Sequence, residues 1–313
     1  AVLALASAHS IDPSRLGGGD EAGLAEAEAY WATVRDDPAA PLLPRATQGL
    51  LTPGSTFKVV TAAAALDSGI ADPDTPFEDT GSFTVAGHTI PDPNRPDPTR
   101  TRWTLEEALG WSLNAVFAQL GLEVGAERLA TVAGRFGFGE PVPFDLPVPA
   151  SRLAADPAFL TDPAALADTA FGQGQLQATP LQMALVAAAV ANDGRIMRPY
   201  LAEALLAPDG TPRRRAQPSV WRRPLGEDAT SALRRMMAWA ATEGGNRMAP
   251  IPGAELGGKT GSAETGRGGP PHQPRCTEGI VVDRKNPTLR YRTSMVRTGA
   301  GGGRSCSCSC SPS

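Results

Sequence analysis

Three short groupings of polar residues in this sequence could do chemistry. The first is Ser55-Thr56-Phe57-Lys58, a hydroxyl and an amine three residues apart. On a helix that spacing puts both side chains on one face, within hydrogen-bond reach. The free N–H groups and the dipole at a helix start favour negative charge developing on the serine oxygen. Burial disfavours an ammonium, so a sequestered Lys58 loses its proton readily and can accept the one on serine. The second grouping is Ser112-Leu113-Asn114, a hydroxyl and an amide two apart at a break between helical stretches. Alone it also reads as a cap on the helix that follows. The third is Lys259-Thr260-Gly261, then Ser262, in a glycine-rich extended segment. A cation, a hydroxyl and a bare backbone on one strand can line a cleft and hydrogen-bond a substrate.

Composition sharpens the choice. Of 29 basic residues only Lys58, Lys259 and Lys285 are lysines, which leaves 26 arginines. Arginine cannot lose its proton at neutral pH, so a chain this biased keeps lysine where deprotonation matters. Drift in base composition is the bland alternative. With 17 serines in 313 residues, a serine precedes one of three lysines at that offset about one time in six by chance.

No rival chemistry stands out. His9, His88 and His272 are scattered, and Arg213-Arg214-Arg215 reads as a solvated loop. Gly17-Gly18-Gly19 lacks the spacing of a phosphate-binding loop. No cysteine precedes Cys276, and Cys306, Cys308 and Cys310 alternate with serine, which is not zinc-ligand spacing. No metal or cofactor is expected. A net charge of −4 gives no basic surface for nucleic acid. The chain lacks an apolar run long enough to span a bilayer. Ala1 to Ala6 reads as an apolar strand of a chain that begins inside a larger protein.

The elements that must position these groups follow from periodicity and punctuation. A polar helix is expected over 21–34 and a helix from Ser55 to about Leu66, apolar on nearly every side and therefore central. Strands are expected at 83–85 and 88–90, then a proline-rich loop from Pro91 to Pro98. Thr104-Leu105-Glu106-Glu107 has capping-box spacing. Helices are expected from Asn114 to Leu120, stopping at Gly121, and from Ala126 to Gly134. Thr179-Pro180 opens a helix that Asn192-Asp193-Gly194 closes. Strands at Tyr200–Ala207 and Val220-Trp221, a helix over 228–242 and an extended segment over 254–263 complete the body.

In this order the three groupings resemble the S-x-x-K, S-x-N and K-T-G signature of penicillin-binding proteins and serine β-lactamases. Their joint chance occurrence is on the order of one in a thousand. Linking segments agree with class B penicillin-binding proteins: Arg45-Ala46-Thr47-Gln48-Gly49 before Pro53-Gly54-Ser55, and Phe171-Gly172-Gln173-Gly174 before Thr179-Pro180-Leu181-Gln182. The resemblance covers roughly residues 1 to 272. It implies an α+β fold, a mostly antiparallel sheet flanked by helices, with an all-helical subdomain drawn largely from residues 70–200. It implies a peptidoglycan D,D-transpeptidase in which Ser55 is acylated by stem peptides or β-lactams and Lys58 is the base. Ser112 and Asn114 would shuttle protons and hold the substrate amide, and Lys259 and Thr260 would bind its carboxylate. Gly261 belongs to the same strand, and the N–H groups of Ser55 and Ser262 would form the oxyanion hole. Other cell-wall synthesis proteins are implied as partners. So is work on the outer face of the cytoplasmic membrane, with an anchor and a non-catalytic domain preceding this chain.

Two departures remain. Residues 275–313 carry seven basic and two acidic groups, against 22 and 31 in residues 1–274. The match fades near Gln273, as a shifted reading frame or a disordered tail would make it. The transpeptidase domain is therefore expected to occupy 1–274, with the closing strands missing and Lys259-Thr260-Gly261 left as an unpaired, destabilising edge. Among alternatives, a serine β-lactamase of one class needs an E-x-x-L-N base, whereas Glu106-Glu107-Ala108-Leu109 runs into Gly110. A D,D-carboxypeptidase uses the same three motifs, and the linking segments favour the transpeptidase. A non-catalytic β-lactam-binding sensor or scaffold is the reading from another class.

Overall fold

The computed structural model describes residues 1–2, 4–7, 10–17, 19–245, 247–250, 252–253 and 255–263, and the backbone strands 276–280 and 293–297. After a 3-10 turn (Pro13–Leu16) come α1 (Glu21–Arg35) and α2 (Arg45–Gln48). A second 3-10 turn (Gly54–Phe57) runs directly into α3 (Lys58–Asp67). Then follow β1 (Pro76–Glu78), β2 (Ser82–Val85), β3 (His88–Pro91), β4 (Arg102–Thr104), α4 (Leu105–Trp111), α5 (Asn114–Val124) and α6 (Ala126–Arg135). A third 3-10 turn (Pro157–Thr161) precedes α7 (Pro163–Ala170), α8 (Pro180–Ala191), β5 (Ile196–Met197), β6 (Ala204–Leu206), β7 (Pro212–Arg215) and β8 (Val220–Arg222). The last elements are α9 (Glu227–Thr242), β9 (Thr260–Gly261), β10 (Cys276–Ile280) and β11 (Thr293–Arg297).

Helix α3 is the axis of the molecule. Every residue from Lys58 to Ala65 is buried. Four of those eight are consecutive alanines, Ala62 to Ala65. Small side chains on all sides let α5, α6 and α9 pack against it closely. Helix α4 starts where expected: Thr104 Oγ1 accepts from Glu107 N–H, and Glu107 Oε2 accepts from Thr104 N–H. Helix α8 is capped by Thr179 with Pro180 at its first position. Helices α4 and α9 are locked by an edge-to-face pair, Trp111 against Trp239, with ring centroids 6.3 Å apart.

All strand pairings among the described residues are antiparallel. Four are two-stranded ribbons, β1–β4, β2–β3, β5–β8 and β6–β7, and the fifth sheet has the order β11–β10–β9. That last sheet corrects an expectation. Strand β9 is not an unpaired edge, since Gly261 lies opposite Glu278 and Thr260 opposite Gly279. Strand β11 then pairs with β10 from Cys276↔Arg297 to Ile280↔Thr293. A ladder is made by backbone groups, so a segment of altered composition can still complete it where threonine, valine and isoleucine tolerate the extended form.

Other boundaries moved for identifiable reasons. The described residues of 1–7 form no strand, although Val2 N–H donates to Tyr200 O at 2.8 Å. The Tyr200–Ala207 strand contracts to β6, and Arg213–Arg215 belongs to β7, exposed along its whole length and paired with β6. The helix expected from Ser55 begins as a 3-10 turn and becomes α-helical only at Lys58. Helix α5 does not stop at Gly121 but runs to Val124. The reason lies in α7, because a Cβ on Gly121 would sit 2.2 Å from Ala170 Cβ.

Gly121 is thus a packing glycine inside a helix. Alanine would raise helix propensity by about 1 kcal/mol, yet it would overpack the α5–α7 contact at a cost of about 1–3 kcal/mol. Gly121→Ala is expected to lower the urea midpoint; a higher midpoint would show that α7 yields freely.

Candidate active site

The nucleophile candidate sits where three distant segments close on one another. Gly54, at φ +57°, has no room for a side chain, because a Cβ there would lie 2.3 Å from Ser262 O. A Cβ on Gly172 would lie 1.7 Å from Gly54 O, and Gly54 N–H donates to Gly172 O at 3.0 Å. A Cβ on Gly261 would lie 2.8 Å from Pro53 O and 3.0 Å from Thr56 N. The turn before α3, the Gly172-Gln173-Gly174 turn and β9 therefore meet backbone to backbone around Ser55. Ser55 lies in the 3-10 turn that leads into α3, at the helix start where backbone N–H groups lack partners within the helix.

The second layer is a pair of buried amines around one serine. Lys58 and Lys259 are both fully buried, while Ser55, Ser112 and Asn114 are half-buried. Lys58 Nζ donates to Ser112 O and Asn114 Oδ1, both at 2.7 Å, and to Ser112 Oγ at 3.3 Å. Lys259 Nζ donates to Ser112 Oγ and to Thr260 O, each at 2.8 Å. The expected Lys58–Ser55 hydrogen bond is not among the described contacts; the Lys58 amine turns to the Ser112 segment instead. Burial pushes Lys58 well below the ordinary lysine range, the Lys259 charge adds to that, and Asp92 opposes it. Burial alone pushes Lys259 down to about 7. Both amines are thereby brought toward the range in which a proton can be taken and returned near neutral pH.

Ser112 owes its place to an unusual backbone. It closes α4 in the left-handed region, φ 62° and ψ 40°, and so is not a cap of the helix that follows. Helix α5 is preceded by Leu113, which makes no side-chain cap. The left-handed turn costs a serine roughly 1–3 kcal/mol. It is held by the bonds that Lys58 and Asn94 Nδ2 make to the Ser112 carbonyl, the latter at 3.1 Å.

All eight sequence-derived candidates, Ser55, Lys58, Ser112, Asn114, Lys259, Thr260, Gly261 and Ser262, thus belong to one cluster of touching segments. Sequence reasoning missed Asp92 and Asn94, which sit in what read as a featureless proline-rich loop, and gave Gly172 no contact with Gly54. Nothing local marks Asp92; only its burial, at 5% exposure, does. His88 is on β3, exposed, with Nε2 3.0 Å from Asp168 Oδ1. His9, His272, Cys306, Cys308 and Cys310 lie outside the described residues. Among the described residues no group of three side chains could hold a metal ion, and no helix is long and apolar enough to cross a membrane.

The chain is similar to known proteins over most of its length. Residues 1–289 match the family model described as penicillin binding protein transpeptidase domain. The chain belongs to that family. The match extends past residue 274 and takes in the segment that forms β10. A relative named peptidoglycan D,D-transpeptidase PbpA, from Mycolicibacterium smegmatis, is 39% identical over 282 residues, 87% of this chain and 55% of the relative. The protein of that name from Mycobacterium tuberculosis is 35% identical over 284 residues, again 87% and 55%. This transpeptidase-family chain therefore spans about half the length of those relatives. Among solved structures, the penicillin G acyl-enzyme complex of M. tuberculosis penicillin-binding protein A superposes with TM-score 0.78 at 34% identity. The overlap covers 89% of this chain and 62% of that one. The imipenem acyl-enzyme complex gives 0.80 at 33%, covering 90% and 62%.

The buried amines have a consequence for stability. Lys259 titrates at about 7 when folded and at about 10.4 when unfolded. Between those values the unfolded chain binds the extra proton, so stability rises with pH, and Lys58 adds in the same direction. The thermal midpoint is expected to climb between pH 7 and pH 9, and Lys259→Met to reduce that climb. An undiminished climb in the variant would place the proton release elsewhere.

Proposed function

We propose that this chain is the catalytic domain of a peptidoglycan D,D-transpeptidase acting through a Ser55 acyl-enzyme. The observation that carries the reading is the Ser112 hydroxyl held between two buried amines, in the cluster that contains Ser55. Neutral Lys58 takes the Ser55 proton as Oγ attacks the carbonyl of the penultimate D-alanine of a stem peptide. The N–H groups of Ser55 and Ser262 receive the oxyanion, an interaction commonly worth several kcal/mol. As the tetrahedral intermediate collapses, the C–N bond breaks and the leaving D-alanine amine takes a proton relayed through Ser112 Oγ. Asn114 holds the substrate amide. Thr260, half-buried on β9 with the Lys259 charge behind it, receives the terminal carboxylate.

An amine from a neighbouring stem then attacks the Ser55 ester carbonyl and gives a proton to Lys58; the C–O bond to Ser55 breaks, Lys58 returns the proton to Ser55 Oγ, and the new amide is the cross-link. A β-lactam follows the first half of this path. Its C–N bond opens on Ser55, but the amine stays tethered and the ester persists. Support comes from the names of the relatives and from the penicillin G and imipenem acyl-enzymes of the structural neighbours. Peptidoglycan as substrate places the work outside the cytoplasmic membrane.

Intact-protein mass after incubation with penicillin G tests the reading. One stoichiometric adduct is expected, absent from Ser55→Ala and slow to leave. No adduct on the wild-type chain would overturn the assignment, and rapid release would make it a β-lactamase. Lys58→Arg, which cannot give up its proton, is expected to slow acylation by at least about a hundredfold. A rate within a few fold of wild type would remove Lys58 from the role of base.

A further inference from the structure

The loop between β3 and β4 holds a carboxylate that the reaction above does not use. Asp92 is buried, and its Oδ2 accepts the N–H of Ala115, in the first turn of α5, at 2.9 Å. It therefore caps α5 from 23 residues away, in place of the side-chain cap that Leu113 cannot supply. Its Oδ1 accepts from Asn94 N–H at 3.3 Å. Asn94 in turn donates through Nδ2 to the Ser112 carbonyl, the same oxygen that Lys58 Nζ contacts. A continuous path thus runs from the Asp92 carboxylate through Asn94 to the backbone that receives the Lys58 amine.

An asparagine would cap α5 as well as an aspartate does, and without the cost of burying a charge. That cost is visible. Burial pushes Asp92 up to about 6, Asp79 adds to the rise, and Lys58 and the N–H groups of Ala115 and Asn94 oppose it. The charged groups around it are Lys58 from α3, Asp79 from the turn after β1 and Arg95 of the same loop, whose guanidinium donates to Asp79 O at 3.4 Å. Lys259 stands beyond Ser112. Asp92 and Lys58 influence each other, and two like-charged amines meet at Ser112.

We propose that Asp92 is a positioning residue for Ser55 acylation. With Asn94 it holds Ser112 and the start of α5 against Lys58, and its negative charge sets the pH at which the Lys58 amine becomes free to act. The inference rests on the reading of Ser55 and Lys58 given above. Removing the charge in Asp92→Asn weakens the hold of Lys58 on its proton, so the limb of acylation that rises with pH moves to lower pH. A purely structural role would lower the rate at every pH and leave the limb in place.

The experiment uses the full chain with 13C-labelled lysine, in which three lysines give three ε-carbon signals. Lys58 is titrated by NMR alongside the pH profile of acylation by penicillin G, in wild type, Asp92→Asn and Asp92→Glu. In Asp92→Asn the Lys58 midpoint and the acylation limb are expected to move down together by about one pH unit. Asp92→Glu should return both toward wild type even where its maximal rate is lower. A Lys58 midpoint unchanged in Asp92→Asn, or a glutamate variant that titrates like the asparagine one, overturns the proposal. Absence of wild-type acylation with the midpoint shift intact would instead sink the assignment of Ser55. Should Asp92→Asn fail to fold, Asp92→Ser carries the test, since a serine hydroxyl can still accept the Ala115 N–H without bringing a charge. The same downward shift of the Lys58 midpoint and of the acylation limb is expected, and a limb left in place overturns the proposal.

Discussion

Two lysine amines are buried against a single serine, and most of the surrounding structure answers to that constraint. A buried cation is tolerated only where acceptors surround it or where it sheds its proton. Ser112 supplies its carbonyl and its hydroxyl, Asn114 its amide oxygen and Thr260 its carbonyl. The left-handed turn at Ser112 is what lets one residue offer both backbone and side chain to the amines. Burial also depresses the proton affinity of each lysine. The same desolvation that destabilises the fold therefore prepares the amines for proton transfer.

The second constraint is steric. Segments around residues 54, 172 and 261 come together with backbone atoms in contact, and none of the three positions has space for a Cβ. This explains why the pattern ends in glycine after Lys259 and Thr260, and why a glycine precedes Ser55. Close approach holds the Ser55 and Ser262 segments against one another, as the oxyanion role proposed for their N–H groups would require. The small residues of α3 extend the same logic inward, since tight packing on α5, α6 and α9 leaves the first turn of α3 little freedom to move.

Strands β10 and β11 complete the edge on which this arrangement rests. With Gly261 paired to Glu278 and Thr260 to Gly279, β9 is held from its far side while its near side abuts the Pro53–Thr56 turn. The change of composition after residue 274 concealed that pairing, because a ladder depends on backbone groups and register more than on side-chain polarity.

The identity of the chemical groups was legible in the sequence alone. Serine three residues before lysine, a hydroxyl and an amide two apart, and a lysine, a hydroxyl and a glycine in an extended segment are local patterns, and local geometry sets what they can do. The capping box at Thr104, the proline-started helix at 180 and the apolar helix after Ser55 were legible for the same reason. Tertiary structure alone decided which partners the amines took. Lys58 reaches residues 54 and 56 positions away in the chain, and Lys259 one that is 147 away. It also decided that α5 would pass through Gly121, that Asp92 would cap a helix across a loop, and that β9 would be paired. Each of these depends on which atoms occupy the space beside a residue, and burial, close approach and charge coupling are properties of that space rather than of the order of residues along the chain.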